Sequence, residues 1–189
     1  MGSKIHIKNY SSIMIVEKNG MNSIKSGDIF VFQTNLKYGL IQVVEKSKVA
    51  GYHVRVFCDL IDNLESKTIE GLINNGDFYY LRDFYEYELI NKSECKISYE
   101  LSVDAIMPKY MRANERKLNG DLIWYIIDTD TGKVVKKNKR FANELLELSP
   151  YRTWGIDYIK TRWNEKFSLD KWTDDLENQW YVNYLRMIK

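Results

Sequence analysis

Three runs of alternating residues, joined by short polar connections, constrain this 189-residue chain more than any other feature of its sequence. The runs are "IFVFQT" at 29–34, "YGLIQVVE" at 38–45 and "YHVRVFCDL" at 52–60. Successive side chains in each run point to opposite faces, which is the period of a β-strand. Their short connections predict an antiparallel meander, and closure of so few strands into a small, partly closed barrel is the alternative form.

The chain after residue 95 has a different pattern. "GDLIWYIIDTDTGKVVKK" predicts a hairpin with its turn at Asp128–Gly132. From Phe141 the apolar residues recur at helical spacing, which predicts about three helices, the last with Ser168 as its N-cap. The expected fold class is α+β, with an antiparallel β module at 1–95 and a hairpin plus helices at 96–189. The two parts either stay separate or pack as one domain.

Two stretches of the first half carry less regular patterns. Residues 63–76 are polar and punctuated by glycine, and no element is predicted there. "DFYYLRDFYEYELI" at 77–90 is dense in aromatic residues, and its first half predicts a further strand.

Composition places the chain among soluble globular proteins, with 44% hydrophobic and 29% charged residues and a net charge of +2. So small a net charge gives no global field for nucleic acid or a membrane surface. The opening "MGSKIHIKNY" has no apolar signal region, and no run approaches the roughly 18 apolar residues of a membrane helix. A cytoplasmic protein is expected, with Cys58 and Cys95 as reduced thiols.

Catalytic and metal-binding motifs are absent from the sequence. There are two histidines, His6 and His53, and Asp59 on the same strand face as His53 lies about 20 Å along the strand. "DTDTG" lacks the glycine and glutamate spacing of a calcium loop. We therefore predict no catalytic residue, no metal and no cofactor. A hydrolase using a pair of carboxylates stays open as a lesser alternative, because pairing in space is invisible in one sequence.

The first half resembles a known family. "KSGDIFVF", "KYGLIQVVEK" and "YHVRVFCDL" are similar to the opening strands of the immunity protein 26 family of bacterial polymorphic toxin systems. Lys25, Gly27, Asp28 and Phe30 match its first element, and Tyr38–Gly39 match its second. The resemblance implies a non-enzymatic cytoplasmic protein that binds a cognate toxin and occludes its active or substrate-binding surface. It covers roughly the first 65–90 residues and brings no catalytic residues.

Two sets of side chains are candidate partner contacts. The first is acidic and opens the last predicted helix: Asp170, Asp174, Asp175 and Glu177. The second is a set of aromatic side chains that we expect to be exposed, Tyr79, Tyr85 and Tyr87, since tyrosine is enriched at binding hot spots. A basic run at Lys133–Arg140 supports a second hypothesis, a small nucleic-acid-binding module, although near-equal numbers of acidic and basic residues argue against it.

Overall fold

The fold is known from a computed structural model that describes residues 14–17, 23–35, 37–48, 51–99, 106–152, 154–166, 168–174 and 177. Within these residues it contains a six-stranded antiparallel sheet, a three-stranded antiparallel sheet and three α-helices. The α+β class predicted from the sequence is confirmed.

The larger sheet has the strand order β1-β6-β2-β3-β4-β5. Its strands are β1 Met14–Glu17, β2 Ile29–Gln33, β3 Tyr38–Lys46, β4 Tyr52–Phe57, β5 Phe78–Phe84 and β6 Cys95–Ser98. The predicted meander is confirmed as β2-β3-β4, and the predicted strand after residue 77 is β5. The barrel alternative is wrong, because the sheet stays open with β1 and β5 as its edges.

Two helices connect strands of this sheet along the chain: α1 Ser66–Asn75 follows β4, and α2 Glu86–Lys92 follows β5. The sequence did not predict α1. It carries Ile69, Leu72 and Ile73, which are spaced to share one helix face and are all buried.

The smaller sheet consists of β7 Tyr110–Arg116, β8 Leu122–Asp128 and β9 Val134–Asn138. The predicted hairpin is confirmed as β8–β9. Three helical segments follow, a 3-10 helix at Asn143–Leu145, α3 at Ile156–Asn164 and a 3-10 helix at Leu169–Lys171. Beyond Lys171 the amide of Glu177 donates to Thr173 at 3.1 Å, and the remainder of the last predicted helix lies outside the described residues.

The Gly-Asp pair before β2 has a structural explanation. Gly27 has a φ of 93°, a conformation that favours glycine. The next residue, Asp28, is buried and forms an ion pair with Lys96 of β6 at 3.0 Å. Lys96 also donates to the carbonyl of Ser23 at 2.6 Å, so this pair ties the entry of β2 to the neighbouring strand.

A second buried polar contact crosses the middle of the sheet. Gln42 of β3 donates to the carbonyl of Gly27 at 3.0 Å and accepts from Nε of Arg55 on β4 at 2.5 Å. The guanidinium of Arg55 also lies over the ring of Phe78, 4.9 Å from its centroid. Both side chains are thereby held inside an otherwise apolar sheet.

Helix α3 packs closely against the larger sheet. A Cβ on Gly39 would lie well inside van der Waals contact with the ring of Trp163, so the absence of a side chain lets the indole approach the strand. The indole N–H of Trp163 donates to the carbonyl of Phe57 at 2.7 Å. The third helix is thus fixed on β3 and β4 by one tryptophan.

Arg112 connects the smaller sheet to the chain that follows it. It is fully buried, its guanidinium lies 4.8–5.7 Å from the ring centroids of Trp124, Phe141 and Trp172, and it donates to the carbonyls of Leu145 and Leu169. Burial lowers the pKa of Arg112 to about 9.

One apolar core includes residues from 1–95 and from 96–189. None of the described helices is long and apolar enough to cross a membrane.

Candidate functional site

The most exposed aromatic pair among the described residues consists of Tyr85 and Tyr87, which we call the tyrosine surface. They are 48% and 54% exposed, and their rings stack with centroids 5.7 Å apart and an interplanar angle of 27°. Tyr85 is the N-cap residue of α2 and directly follows β5, so the end of this strand sets the position of the tyrosine pair. Large exposed aromatic rings of this kind are the usual anchors of protein interfaces.

Helix α2 holds the tyrosine surface through its buried face. Glu88 is 4% exposed and accepts from the amide of Ile156, the first residue of α3, at 3.1 Å. Lys92 donates to Glu88 at 3.1 Å and to Asp157 at 2.9 Å, which adds a second tie between the two helices. Glu88 and Leu89 are the buried residues of α2, whereas Tyr85, its non-helical N-cap residue, and Tyr87 in its first turn are exposed.

His53 lies close to the same end of the sheet, and its neighbour is Asp83 on β5 rather than Asp59. Nδ1 of His53 accepts from the amide of Asp83 in a long hydrogen bond of 3.4 Å, which leaves the proton of the neutral ring on Nε2. Asp83 has a φ of 52°, unusual for a residue other than glycine, and its carboxylate accepts from the hydroxyl of Ser47.

This cluster of Ser47, His53 and Asp83 is arranged for structure. The acceptor nitrogen of His53 is already engaged by a backbone amide, so it is poorly placed to take a proton from a nucleophile. Burial is the main effect on the imidazole and lowers the pKa of His53. The register between β4 and β5 shifts between Tyr52 and Val54, and this irregularity lies beside the strained Asp83.

The aromatic candidate Tyr79 does not belong to the tyrosine surface. It is 1% exposed and packs edge-on against Trp154, with ring centroids 5.6 Å apart. The expectation that it is exposed is wrong, because it shares its sheet face with the buried Leu81 two residues later.

The acidic candidates separate in the structure. Asp174 accepts from the indole N–H of Trp124 and from the amide of Phe141, and Glu177 accepts from the indole N–H of Trp172. Asp170 is exposed, and a hydrogen bond from Ser168 holds the pKa of its carboxyl below the usual range. Asp175 lies outside the described residues. Asp174 and Glu177 therefore hold tryptophans in place, and among the described members of this acidic set only Asp170 is exposed.

A cleft of about 610 Å³ opens at the other end of β4 and β5. It is lined by Thr34, Asn35, Lys37, Cys58, Asp59, Leu60, Asp77, Trp163, Asn164, Lys166, Ser168 and Lys171. β5 has seven residues, so the cleft lies about 20 Å from the tyrosine surface. The two features are separate surfaces, and one small ligand cannot bridge them.

The lining of the cleft is mixed in charge. Asp59 and Asp77 line it together with Lys37, Lys166 and Lys171. Burial raises the pKa of the neighbouring Cys58 thiol to about 12, which disfavours its nucleophilic thiolate form. Cys95 is also a free thiol, and among the described residues no cluster of histidine, cysteine and carboxylate side chains has the form of a metal site.

The basic run Lys133–Arg140 lies on and around β9. Its lysines and its arginine are exposed. Lys136 pairs with Glu144 at 2.5 Å, and Lys137 lies over the ring of Tyr125 at 6.0 Å from the centroid. The run therefore forms one exposed edge of the smaller sheet, away from the tyrosine surface.

Comparisons with protein-family models, with curated proteins and with solved structures find no match to this chain. A function for it has to be argued from its own geometry and from the residues that carry the family resemblance.

Proposed function

We propose that this chain is a non-enzymatic immunity protein that binds a cognate bacterial toxin in the cytoplasm and occludes the toxin's active or substrate-binding surface. The observation that carries the proposal is the stacked, half-exposed pair Tyr85–Tyr87 on α2, whose buried face is held in place by contacts with α3.

The tyrosine surface has the physical properties of a binding anchor. Tyrosine buries a large area at a small cost in side-chain entropy, since it has only two rotatable side-chain bonds. The ring stack restricts Tyr85 and Tyr87 further before any partner arrives. A partner that covers them therefore gains apolar contact with little ordering cost.

The residues that resemble the immunity family act as framework. Gly27 supplies a left-handed turn, Asp28 a buried ion pair and Gly39 the room for Trp163. A framework of this kind supports the proposal because it holds a fixed surface without using any of its polar groups for chemistry. It leaves toxin recognition to exposed side chains outside the shared strands.

Growth of cells that express a toxin tests the proposal. The toxin domain encoded immediately upstream of this chain's gene is expressed alone, with the wild-type chain, or with a variant. Wild type and Tyr110→Ala are expected to restore growth, whereas the Tyr85→Ala, Tyr87→Ala double variant is expected to lose protection. Tyr110 is the matched control, since it is 37% exposed but lies on β7 of the other sheet.

Two outcomes would overturn parts of the proposal. If the wild-type chain neither restores growth nor forms a complex with the toxin, the immunity function is wrong. If the double variant protects as well as wild type, the function stands but the tyrosine surface is not the interface.

Each of two alternative functions is supported by one specific observation. The exposed Lys133–Arg140 run supports nucleic-acid binding, and it would show as affinity that falls steeply with salt. The cleft brings Asp59 and Asp77 into one lining, so a hydrolase using a carboxylate pair would lose turnover on Asp77→Asn.

A further inference from the structure

The outer edge of β9 differs from the edges formed by β5 and β7. β9 pairs with β8 on one side, and in the described part of the chain no segment hydrogen-bonds to its other side. The β7 edge is bridged by Pro150 opposite Arg112, and on the β5 edge the amide of Tyr80 donates to Ser149. The outward amides and carbonyls of β9 are left for solvent or for a partner.

The side chains of β9 are exposed along almost its whole length. Val134 and Val135 are 55% and 57% exposed, and they lie side by side where the register against β8 shifts. The segment 133–140 carries five cations and no acid: Lys133, Lys136, Lys137, Lys139 and Arg140. Within the described residues only Lys136 of these has a carboxylate at ion-pair distance, that of Glu144.

We propose that β9 binds an extended, acidic segment of a partner protein, which adds to the smaller sheet as a fourth strand. Unpaired backbone groups supply the hydrogen bonds of strand addition, and the two valines supply apolar contact. Glu144 neutralises one of the five cations, and the other four favour carboxylates on the incoming strand.

Charge argues against a second copy of this chain and against its two terminal segments as occupants. Pairing of the segment 133–140 with the same segment of a second copy would set five cations against five, which is unfavourable for directly opposed strands. Residues 1–13 and 178–189 are two segments outside the described residues, and each carries two cations and no acid. An acidic segment from another protein satisfies the edge without this repulsion.

Nucleic acid fits the edge less well than a strand does. Phosphates would engage the cations but leave the outward amides and the two valines unused. The same sheet face also carries Glu115, which accepts from Tyr125 at 2.7 Å and pairs with Lys117 at 3.2 Å. A carboxylate fixed in this position opposes a polyanion lying across the sheet.

This inference does not rest on the proposed function. The tyrosine surface belongs to the larger sheet, so β9 binding can be measured whether or not Tyr85 and Tyr87 contact a toxin.

Three capped peptides of about nine residues, long enough to span β9, test the proposal by calorimetry and amide hydrogen exchange. The first alternates glutamate with valine, the second replaces each glutamate by lysine, and the third is the acidic peptide with every second amide N-methylated. The acidic peptide is expected to bind at least about 10-fold more tightly than either control. Its binding should slow amide exchange in Val134–Asn138.

A protein variant provides a second measurement. Lys133→Glu with Lys137→Glu changes only exposed side chains and should keep the wild-type unfolding transition, yet it should remove the preference for the acidic peptide over the lysine peptide. Equal binding of the acidic and N-methylated peptides, or protection elsewhere on the protein, would overturn strand addition. Dimerisation with β9 protected, or tight binding of a single-stranded oligonucleotide in place of the peptide, would overturn the choice of partner.

Discussion

Each of the two sheets has an ion pair between a lysine and a carboxylate, but the pair is buried in the larger sheet and exposed at the smaller one. Asp28 and Lys96 of the larger sheet are about 5% exposed and 3.0 Å apart, whereas Glu144 and Lys136 at the smaller sheet are 36% and 53% exposed and 2.5 Å apart. The buried pair fixes one strand to another. The exposed pair lies on a strand edge that faces solvent.

The difference separates framework from contact surface. The larger sheet buries Asp28, Gln42 and Arg55, and there Asp28 accepts from Lys96 and Gln42 accepts from Nε of Arg55. The smaller sheet leaves the lysines of β9 exposed. A substitution in the first region should therefore change stability, and one in the second should change binding.

Amide hydrogen exchange should give the largest difference between the two sheets. β3 is bonded to β2 on one side and β4 on the other, whereas β9 is bonded only to β8. We expect β3 amides to exchange at least about 1,000-fold more slowly than the outward amides of β9, because opening β3 requires disruption of the larger sheet. Similar rates measured by mass spectrometry or NMR would remove the distinction.

Removing one partner of each ion pair should give the next largest effect. Lys96→Met leaves the buried carboxylate of Asp28 without its cation and should lower the free energy of unfolding by about 3–5 kcal/mol. The matched change Lys136→Met should cost less than about 1 kcal/mol, because solvent screens that pair. Urea unfolding measures both, and equal losses would contradict the comparison.

A pair of glycine substitutions tests the close packing of the larger sheet. Gly39→Ala forces the ring of Trp163 away from β3 and should cost about 1–3 kcal/mol. Gly71 lies inside α1 with open space around it, so Gly71→Ala should instead stabilise by about 0.5–1 kcal/mol. If Gly39→Ala is neutral in the same unfolding assay, α3 does not pack on β3 as described.

The pH dependence of stability should show the smallest of these effects. Burial lowers the pKa of His53 below its ordinary 6.5, and the nearby carboxylates of Asp83 and Glu45 only partly oppose it. The unfolded chain therefore binds this proton first as the pH falls below about 6.5, and stability is lost in that window. His53→Gln should reduce the loss between pH 7.5 and 5.5, whereas an unchanged pH slope would show that His53 is not buried in its neutral form.

The strands were predictable because alternation is a local signal. β2, β3 and β4 follow the runs of alternating residues, and the β8–β9 hairpin follows its turn residues. Helix α1 was missed although Ile69, Leu72 and Ile73 carry a helical spacing, because the polar residues and glycines around them dominated the pattern. The same alternation that predicted β5 also places Tyr79 on the face of Leu81 and predicts its burial.

The partners of the candidate side chains were not predictable, since they depend on tertiary contacts. The approach of His53 to Asp83 needs the register of β4 with β5, including its irregularity. The inward turn of Asp174 needs Trp124, 50 residues away in the chain. By contrast, the sequence did single out Tyr85 and Tyr87, and the stacking of their rings comes from the first turn of α2.

Calorimetric titration of the chain with a candidate toxin domain, taken from the reading frame upstream of its gene, tests the proposed function most directly. The Tyr85→Ala, Tyr87→Ala variant should raise Kd by at least about 30-fold, the equivalent of about 2 kcal/mol for a hot spot. Tyr110→Ala should bind like wild type, and all three proteins should share one unfolding transition. A folded wild-type chain that does not bind the toxin, or a double variant that binds as tightly as wild type, would contradict the account.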